Sequence, residues 1–460
     1  MAPHDELVVG VSGGPDSLAL MVSLYEAGWR MMVAHLNHQL RPAAHVEEEG
    51  VREIASRLGV PFVSRRVDVI AYARENSMSI EEAARHCRYR FLFEEAHRIQ
   101  AKAVLVAHTA DDQVETFLMR LLRGAGGEGL RGMRVSLLPN PWSATIPLIR
   151  PLLSVWRAQI MDYLAQRELQ PFWDESNLDN AYLRNRIRNS LLPQLESYNP
   201  QIRKLLWQTS CILADEEEVL DAQLELAWRE IVVEHPAKVL GLNLAKFGRV
   251  PRPIQRRVIR RAWQFVVGSL ADLEFTWVEE LIDVLLAEGV LRRQVGGRLL
   301  CLKDRDQGYF LKLGASLPSL GYPQLESDEV LVVPLSGRVT LGENWLVQVE
   351  VVEGQPYLAM KQRQVQPYEA WIDFEACKGG VFIRPPRPGD RFRPLSMHGQ
   401  QTKLSDVFIN RKVPFWLRKA YPLVCSESEI LWVPGYTIAH SAQLRPDTRK
   451  ALHITLLPSG

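Results

Sequence analysis

Ser12-Gly13-Gly14-Pro15-Asp16-Ser17 stands between an apolar run ending at Val11 and a helical pattern beginning near Leu18. Two adjacent glycines let a backbone approach an anion closely and take left-handed angles. Free N–H groups at the start of the next helix, with the hydroxyls of Ser12 and Ser17, make a cradle for phosphate. A carboxylate beside a phosphate site repels it unless a divalent cation lies between them, so Asp16 reads as a Mg²⁺ ligand. A capped strand-to-helix turn would explain the glycines or the serines singly. The whole string after a strand asks for the phosphates of a nucleotide. This loop carries neither G-K-[ST] nor G-x-G-x-x-G.

A second constellation is acidic. His108-Thr109-Ala110-Asp111-Asp112-Gln113-Val114-Glu115 begins where a buried strand ends. Thr109 and Asp112 have the spacing of a capping box. Asp111 and Glu115 are four apart and share a helix face, with Asp112 adjacent. Such a cluster can hold Mg²⁺ or grip an ammonium group. Arg85 and Arg88, three apart on another helix, suit the charge that develops when pyrophosphate leaves. Arg184, Arg186 and Arg188 form a further basic cluster. His38 and His108 are explained as well by capping or packing as by a site, and neither is read as a base.

These residues need a scaffold that gathers them. Runs of strand type at Leu7–Val11, Met31–Leu36, Phe62–Val67, Ala103–Ala107 and Thr145–Ile149 alternate with amphipathic stretches at Leu18–Ala27, Val46–Leu58 and Ile80–Arg98. That alternation implies an α/β domain with a doubly wound, mostly parallel sheet over residues 1–195, its ligands at the carboxyl ends of the strands. Residues 201–310 read as helical, 311–370 as a connecting region with short strands, and 371–460 as a small α+β unit. The chain has 460 residues, 47% hydrophobic and 24% charged, with net charge +1. These are values of a globular protein, so attraction for a polyanion must be local. Five scattered cysteines form no C-x-x-C pair, which leaves no ligand set for a zinc ribbon or cluster and suits a reducing cytosol. With no signal peptide and no long apolar span, the protein is expected in the cytoplasm.

The string S-G-G-x-D-S resembles the signature of the N-type ATP pyrophosphatase (PP-loop) superfamily, whose members split ATP between its α and β phosphates. The segments beyond it resemble the tRNA(Ile)-lysidine synthetase family nearly end to end. They are Val33–Arg41, Glu82–Arg90, His108–Thr116, Ile149–Leu153, Asp174-Glu175-Ser176-Asn177 and Arg184–Arg188, in that order. The resemblance implies ATP and Mg²⁺ as cofactors, with free lysine and a tRNA(Ile) bearing a CAU anticodon as partners. ATP would be held by Ser12, Gly13, Gly14, Pro15, Asp16, Ser17, His38 and Arg85, and lysine by Asp111, Asp112 and Glu115. Catalysis would fall to Asp16, Arg88, Asp111, Asp112, Glu115 and Arg184, with Asp16 on the metal. No membrane is implied, and nothing in the sequence decides between a monomer and a homodimer.

The RNA expectation has its own basis in charge. Residues 381–420 hold nine Lys/Arg against two acids, interleaved with Phe392, Phe408, Phe415 and Trp416. Phosphate contacts and stackable rings are what RNA binding requires. Arg387, Arg391, Lys403, Arg411 and Lys412 are expected on tRNA, with Arg186, Arg188, Arg256 and Arg260. Arg387–Phe392 and Lys403–Asp406 also resemble the lysidine synthetase C-terminal domain. Leu395-Ser396-Met397-His398 departs from it, because the family often has glycine there. A tRNA thiolase would need cysteines that the spacing does not supply, and an amidotransferase-type synthetase a glutaminase unit of which there is no sign. A non-catalytic RNA binder would have no need of an intact loop and carboxylate cluster.

Overall fold

Seven consecutive residues, Met31–Asn37, are buried along their whole length, as expected of a parallel strand covered on both faces. The computed structural model describes residues 2, 4–40, 44–172, 182–235, 238–317, 319–342, 345–361, 366–397 and 399–459. The string Asp174–Asn177, Arg41 and His398 lie outside the described residues. The chain forms two compact units, Met1–Ala222 and Gln223–Gly460.

The first unit runs β1(Leu7–Gly10), α1(Pro15–Glu26), β2(Met31–Asn37), α2(Ala44–Arg57), β3(Phe62–Arg66), α3(Val69–Glu75), α4(Ile80–Arg98), β4(Ala103–Leu105), α5(Ala110–Leu122), α6(Gly127–Leu130), β5(Ser136–Leu137), β6(Leu148–Ile149), α7(Arg157–Ala165), α8(Leu183–Arg186), α9(Leu192–Tyr198) and the start of α10(Ile202–Ile231). A π-helical turn, Ile187–Leu191, joins α8 to α9. The sheet order is β3-β2-β1-β4-β6-β5. Strands β1 to β4 and β6 are parallel, and β5 is antiparallel to β6.

Successive side chains of β1 feed opposite layers. Val9 packs with Leu18, Val51 and Ile160 on one face, and Val8 with Phe91, Leu92 and Leu148 on the other. The sheet is therefore doubly wound. After β3 the chain returns to place β4 on the other side of β1, so the strand order reverses between them. Crevices in such sheets open at that point, beyond the carboxyl ends of the strands.

The second unit, with α12(Arg252–Val267) and α13(Phe275–Leu286), is more sheet-rich than the helical reading of 201–310 suggests. Strands β7(Val232–His235), β8(Val239–Asn243), β9(Leu291–Val295), β10(Leu299–Asp304) and β11(Gln307–Lys312) form an antiparallel sheet, and α11(Leu244–Phe247) follows β8. All six residues of β10 are buried, so the strand shows no polar alternation to betray it.

Beyond it come β12(Leu331–Val333), β13(Gly337–Gly342), β14(Trp345–Glu353), α14(Pro356–Lys361), β15(Glu369–Asp373), β16(Val381–Arg384), β17(Arg391–Phe392), β18(Thr402–Lys403), α15(Leu404–Asn410), β19(Leu423–Cys425), β20(Ile430–Val433), β21(Thr437–Ile438) and β22(Lys450–Pro458). They make two antiparallel sheets and a two-stranded ladder. One hydrophobic cluster runs from Tyr309 of β11 through Val381 to Leu456.

Candidate active site

The loop after β1 closes on itself. The Ser12 N–H donates to Ser17 Oγ at 3.1 Å, the two hydroxyls lie 3.2 Å apart, and Ser17 Oγ donates to Gly14 O at 3.0 Å. Gly13 takes φ +90°, and a Cβ there would come within 3.1 Å of the Phe172 ring and 3.2 Å of Val51. The Phe172 N–H donates to Gly13 O at 3.1 Å, and the Phe172 ring sits against Gly50, where a Cβ would be 2.2 Å from it. Phe172 thus pins the loop from outside, a role the sequence pattern does not signal.

Two adjoining cavities, about 250 and 320 Å³, open over this loop. Both are lined by Ser12, Gly14, Asp16, Leu36, His38 and Arg88. The first adds an apolar floor from Gly10, Ala34, Leu92 and Val106, with Tyr89, His108, Asp112 and Arg184 on its walls. The second adds Pro15, Arg157, Phe172 and Arg188.

Asp16 sits at their junction. Its Oδ1 is buried without a hydrogen-bond partner, and Arg157 lies 4.0 Å from its other oxygen. Burial pushes the carboxyl up to about 6 against the opposing pull of Arg157. An orphaned, partly desolvated carboxylate beside a phosphate cradle fits Mg²⁺. Among the described residues no group of three or more His, Cys, Asp or Glu could hold a metal by itself. An ion on Asp16 would be completed by phosphate oxygens and water.

His38 and His108 each leave a buried Nδ1 without a partner, and His38 Nε2 lies 3.4 Å from Arg88. Burial holds His38 down to about 3, aided by Arg88, and burial likewise lowers His108. Both rings are neutral near pH 7 and add no charge to a cavity already rich in arginine.

The capping box forms on α5: the Thr109 and Asp112 side chains each bond the other's backbone N–H. Asp112 lines the first cavity, and its Oδ1 accepts from Arg184 at 2.9 Å. Burial pushes it up, but Arg184 and the neighbouring charges outweigh that and hold it below the usual carboxylate range.

The other two acids are engaged by groups of the protein itself. Glu115 is fully buried. Its Oε2 accepts from Arg184 Nε at 2.7 Å, and its Oε1 from Arg188 Nε at 2.6 Å. Asp111 accepts the Arg157 N–H at 2.9 Å, capping α7, and lies 3.5 Å from Arg203. Four-residue spacing does give a shared side of α5, but that side faces α7, α8 and the turn after α8.

The arginines divide in the same way. Arg88 and Arg184 line the first cavity, Arg88 and Arg188 the second. Arg85 is exposed and lies over the Tyr89 ring at 4.8 Å, outside both linings. Arg186 is exposed. Arg157 and Phe172 belong to the site although neither stands in a recognisable pattern. Trp-Arg at the start of α7 carried no motif that could have marked Arg157.

In the second unit, Arg256 pairs with Glu279 at 2.6 Å, and Arg260 is half-buried on the same helix. Arg384 pairs with Asp390 through two bonds of 2.8 and 2.9 Å. Arg387, Arg391, Arg393, Lys403, Arg411, Lys412 and Lys419 remain exposed. Arg391 and Lys403 stand directly opposite each other on β17 and β18. Like charges across a ladder repel, and a bound anion would relieve that repulsion. Three of the four interleaved aromatics, Phe392, Phe408 and Trp416, belong to the hydrophobic core, and Phe415 is half-buried against it.

Residues 2–195 match the family model of the PP-loop domain, and residues 381–454 that of the TilS substrate C-terminal domain. A tRNA(Ile)-lysidine synthase of Geobacter sulfurreducens is 38% identical, the match covering 97% of this chain and 92% of the relative. Relatives of the same name from Dehalococcoides mccartyi and Symbiobacterium thermophilum are 32% and 33% identical. They cover 98% and 99% of this chain, and 95% of each relative. No helix of the described residues is long and apolar enough to cross a membrane.

Proposed function

The chain belongs to the tRNA(Ile)-lysidine synthase family, and on that premise we propose that it joins free lysine to C2 of the wobble cytidine of a CAU-anticodon tRNA(Ile). The cytidine O2 attacks the α-phosphorus of ATP, the Pα–O bond to the β-phosphate breaks, and pyrophosphate leaves. The lysine ε-amine then attacks C2 of the adenylated base, loses a proton, and AMP departs with the C2–O bond. The observation that carries this reading is the self-bonded Ser12–Ser17 loop, Asp16 within it, lining one cavity together with Arg88 and Arg184.

Each residue has work suited to its surroundings. The apolar floor of Gly10, Ala34, Leu36, Leu92 and Val106 accepts a flat purine, and the Ser12–Ser17 backbone receives the phosphates. Arg88 and Arg184 offset the charge that builds on the α-phosphate and leaving group. Mg²⁺, held by Asp16, would screen the phosphates from that carboxylate and polarise them. Asp112 is the acid placed to receive the lysine ammonium, and the arginines around it keep it ionised. The neighbouring cavity, with Arg157 and Arg188, leaves room for the cytidine, which an unpaired loop presents at low cost. The exposed cations of the second unit grip the tRNA backbone.

The test is incorporation of labelled lysine into a CAU-anticodon tRNA(Ile) transcript with ATP and Mg²⁺. Label should enter the RNA with one pyrophosphate and one AMP per lysine. ATP cleavage without lysine transfer would point instead to a different nucleophile on the same PP-loop chemistry.

A further inference from the structure

The second unit contains a cleft that the reaction above does not use. It has a volume of about 940 Å³, near the upper end of the range of small-molecule sites, about 300–1,000 Å³. One wall is aromatic. Tyr309 packs edge-on against Trp416 at 5.3 Å, His235 lies 6.0 Å from Tyr309, and half-buried Tyr322 lines the same cleft. The rim is cationic, with exposed Arg305 and Lys412. The near-buried Asp304 carboxylate lies within it, offering hydrogen-bond acceptors.

The backbone around this cleft is under strain. Arg305, Leu320 and Lys412 have φ of 54°, 52° and 59°, left-handed values that a non-glycine residue seldom adopts. All three line the cleft. Arg305 takes its value in the tight turn between β10 and β11, and Lys412 where α15 ends. Lys412 is also continuous in sequence with exposed Arg411, so the cleft opens beside cations suited to a polyanion rather than to an isolated small molecule.

We propose that this cleft receives the base of one unpaired adenosine or cytidine of the bound tRNA, outside the anticodon. Tyr322 supplies a face for stacking, Asp304 accepts from the exocyclic amine, and Arg305 and Lys412 flank the phosphate. The proposal rests on the RNA-modifying reading above. It also restores a role for aromatics in RNA binding, through a pocket wall rather than the surface strip the sequence suggested.

Dimethyl sulfate footprinting of a CAU-anticodon tRNA(Ile) transcript on the full chain tests it, because the reagent reads exposed adenine N1 and cytosine N3. The wild-type protein should protect the anticodon and one unpaired A or C elsewhere. Tyr322→Ala should restore reactivity at that second nucleotide several-fold while leaving the anticodon protected. Lys412→Gly should do the same, and it removes the charge while relieving the left-handed strain, so it leaves folding intact. If the anticodon is protected but no second A or C depends on Tyr322 and Lys412, the cleft proposal fails alone. If the anticodon itself is unprotected, the tRNA reading fails with it.

Discussion

Glu115 and Arg188 meet at 2.6 Å, the arginine lining a cavity of the site and the carboxylate fully shielded from solvent. Arg184 shares the same carboxylate at 2.7 Å, so one buried acid orients two cavity arginines that come from a separate stretch of chain. Replacing Glu115 by alanine removes the shared partner of two half-buried guanidinium groups, which costs about 2–3 kcal/mol, less than for a fully buried pair because Arg184 keeps Asp112. Glu115→Gln should cost less and still lower kcat about tenfold or more, with little change in KM for lysine. Thermal melts and steady-state kinetics check both. A large rise in KM for lysine at unchanged stability would instead make Glu115 a lysine ligand.

Asp16 is stabilised in its protonated form by burial, with a folded pKa of about 6 against 3.8 when unperturbed. Its contribution to stability is therefore present at low pH and is lost as pH rises through about 4 to 6. A tenfold change in proton affinity corresponds to about 1.4 kcal/mol, discounted here for partial exposure. Asp16→Asn should raise the apo protein's stability at pH 7 by about 1–2 kcal/mol and abolish pyrophosphate release. Melts of the two proteins at pH 4 and pH 7 check this, because the difference should vanish at the lower pH.

Arg391 faces Lys403 with no charge of opposite sign across the ladder. Lys403→Gln should remove the repulsion, leave stability equal or slightly higher, and weaken tRNA binding. The slope of log affinity against log salt should fall by about one for each phosphate the variant no longer neutralises. Filter binding over a salt series measures it, and kcat at saturating tRNA should stay unchanged.

Arg256 makes the opposite prediction. Its guanidinium and that of Arg252 hold Glu279 down to about 2. A depressed carboxylate stabilises above its unfolded value and loses that contribution as pH falls through about 4.5 to 2. Arg256→Ala should therefore lower stability at pH 7 by about 1 kcal/mol, as expected for a partly exposed pair, and flatten the acid limb of the stability profile. Its tRNA affinity should match wild type within twofold, measured in the same salt series.

Much of the first unit is legible without coordinates. Met31–Leu36 and Ile80–Arg98 fall within or on the elements formed, because long apolar runs and a Ser79 cap write their own boundaries. Short elements are not legible in this way. Ser136–Leu137 has two residues, and it exists only because β6 offers it an edge.

Local chemistry is written in the order of residues alone: a phosphate loop, a capping box, a carboxylate beside the cradle, and a surplus of cations near the C-terminus. These depend on neighbours a few residues apart, and such neighbours are set by helix and turn geometry. Which charges are spent is a matter of tertiary packing. Asp112 reaches a cavity wall while sharing Arg184 with Glu115, and Glu115, three residues on, is fully enclosed by Arg184 and Arg188. Arg391 stays exposed while Arg384 is consumed by Asp390. Whether a charge serves a ligand or the fold depends on which distant side chain desolvates and pairs with it, and spacing along the chain carries no record of that.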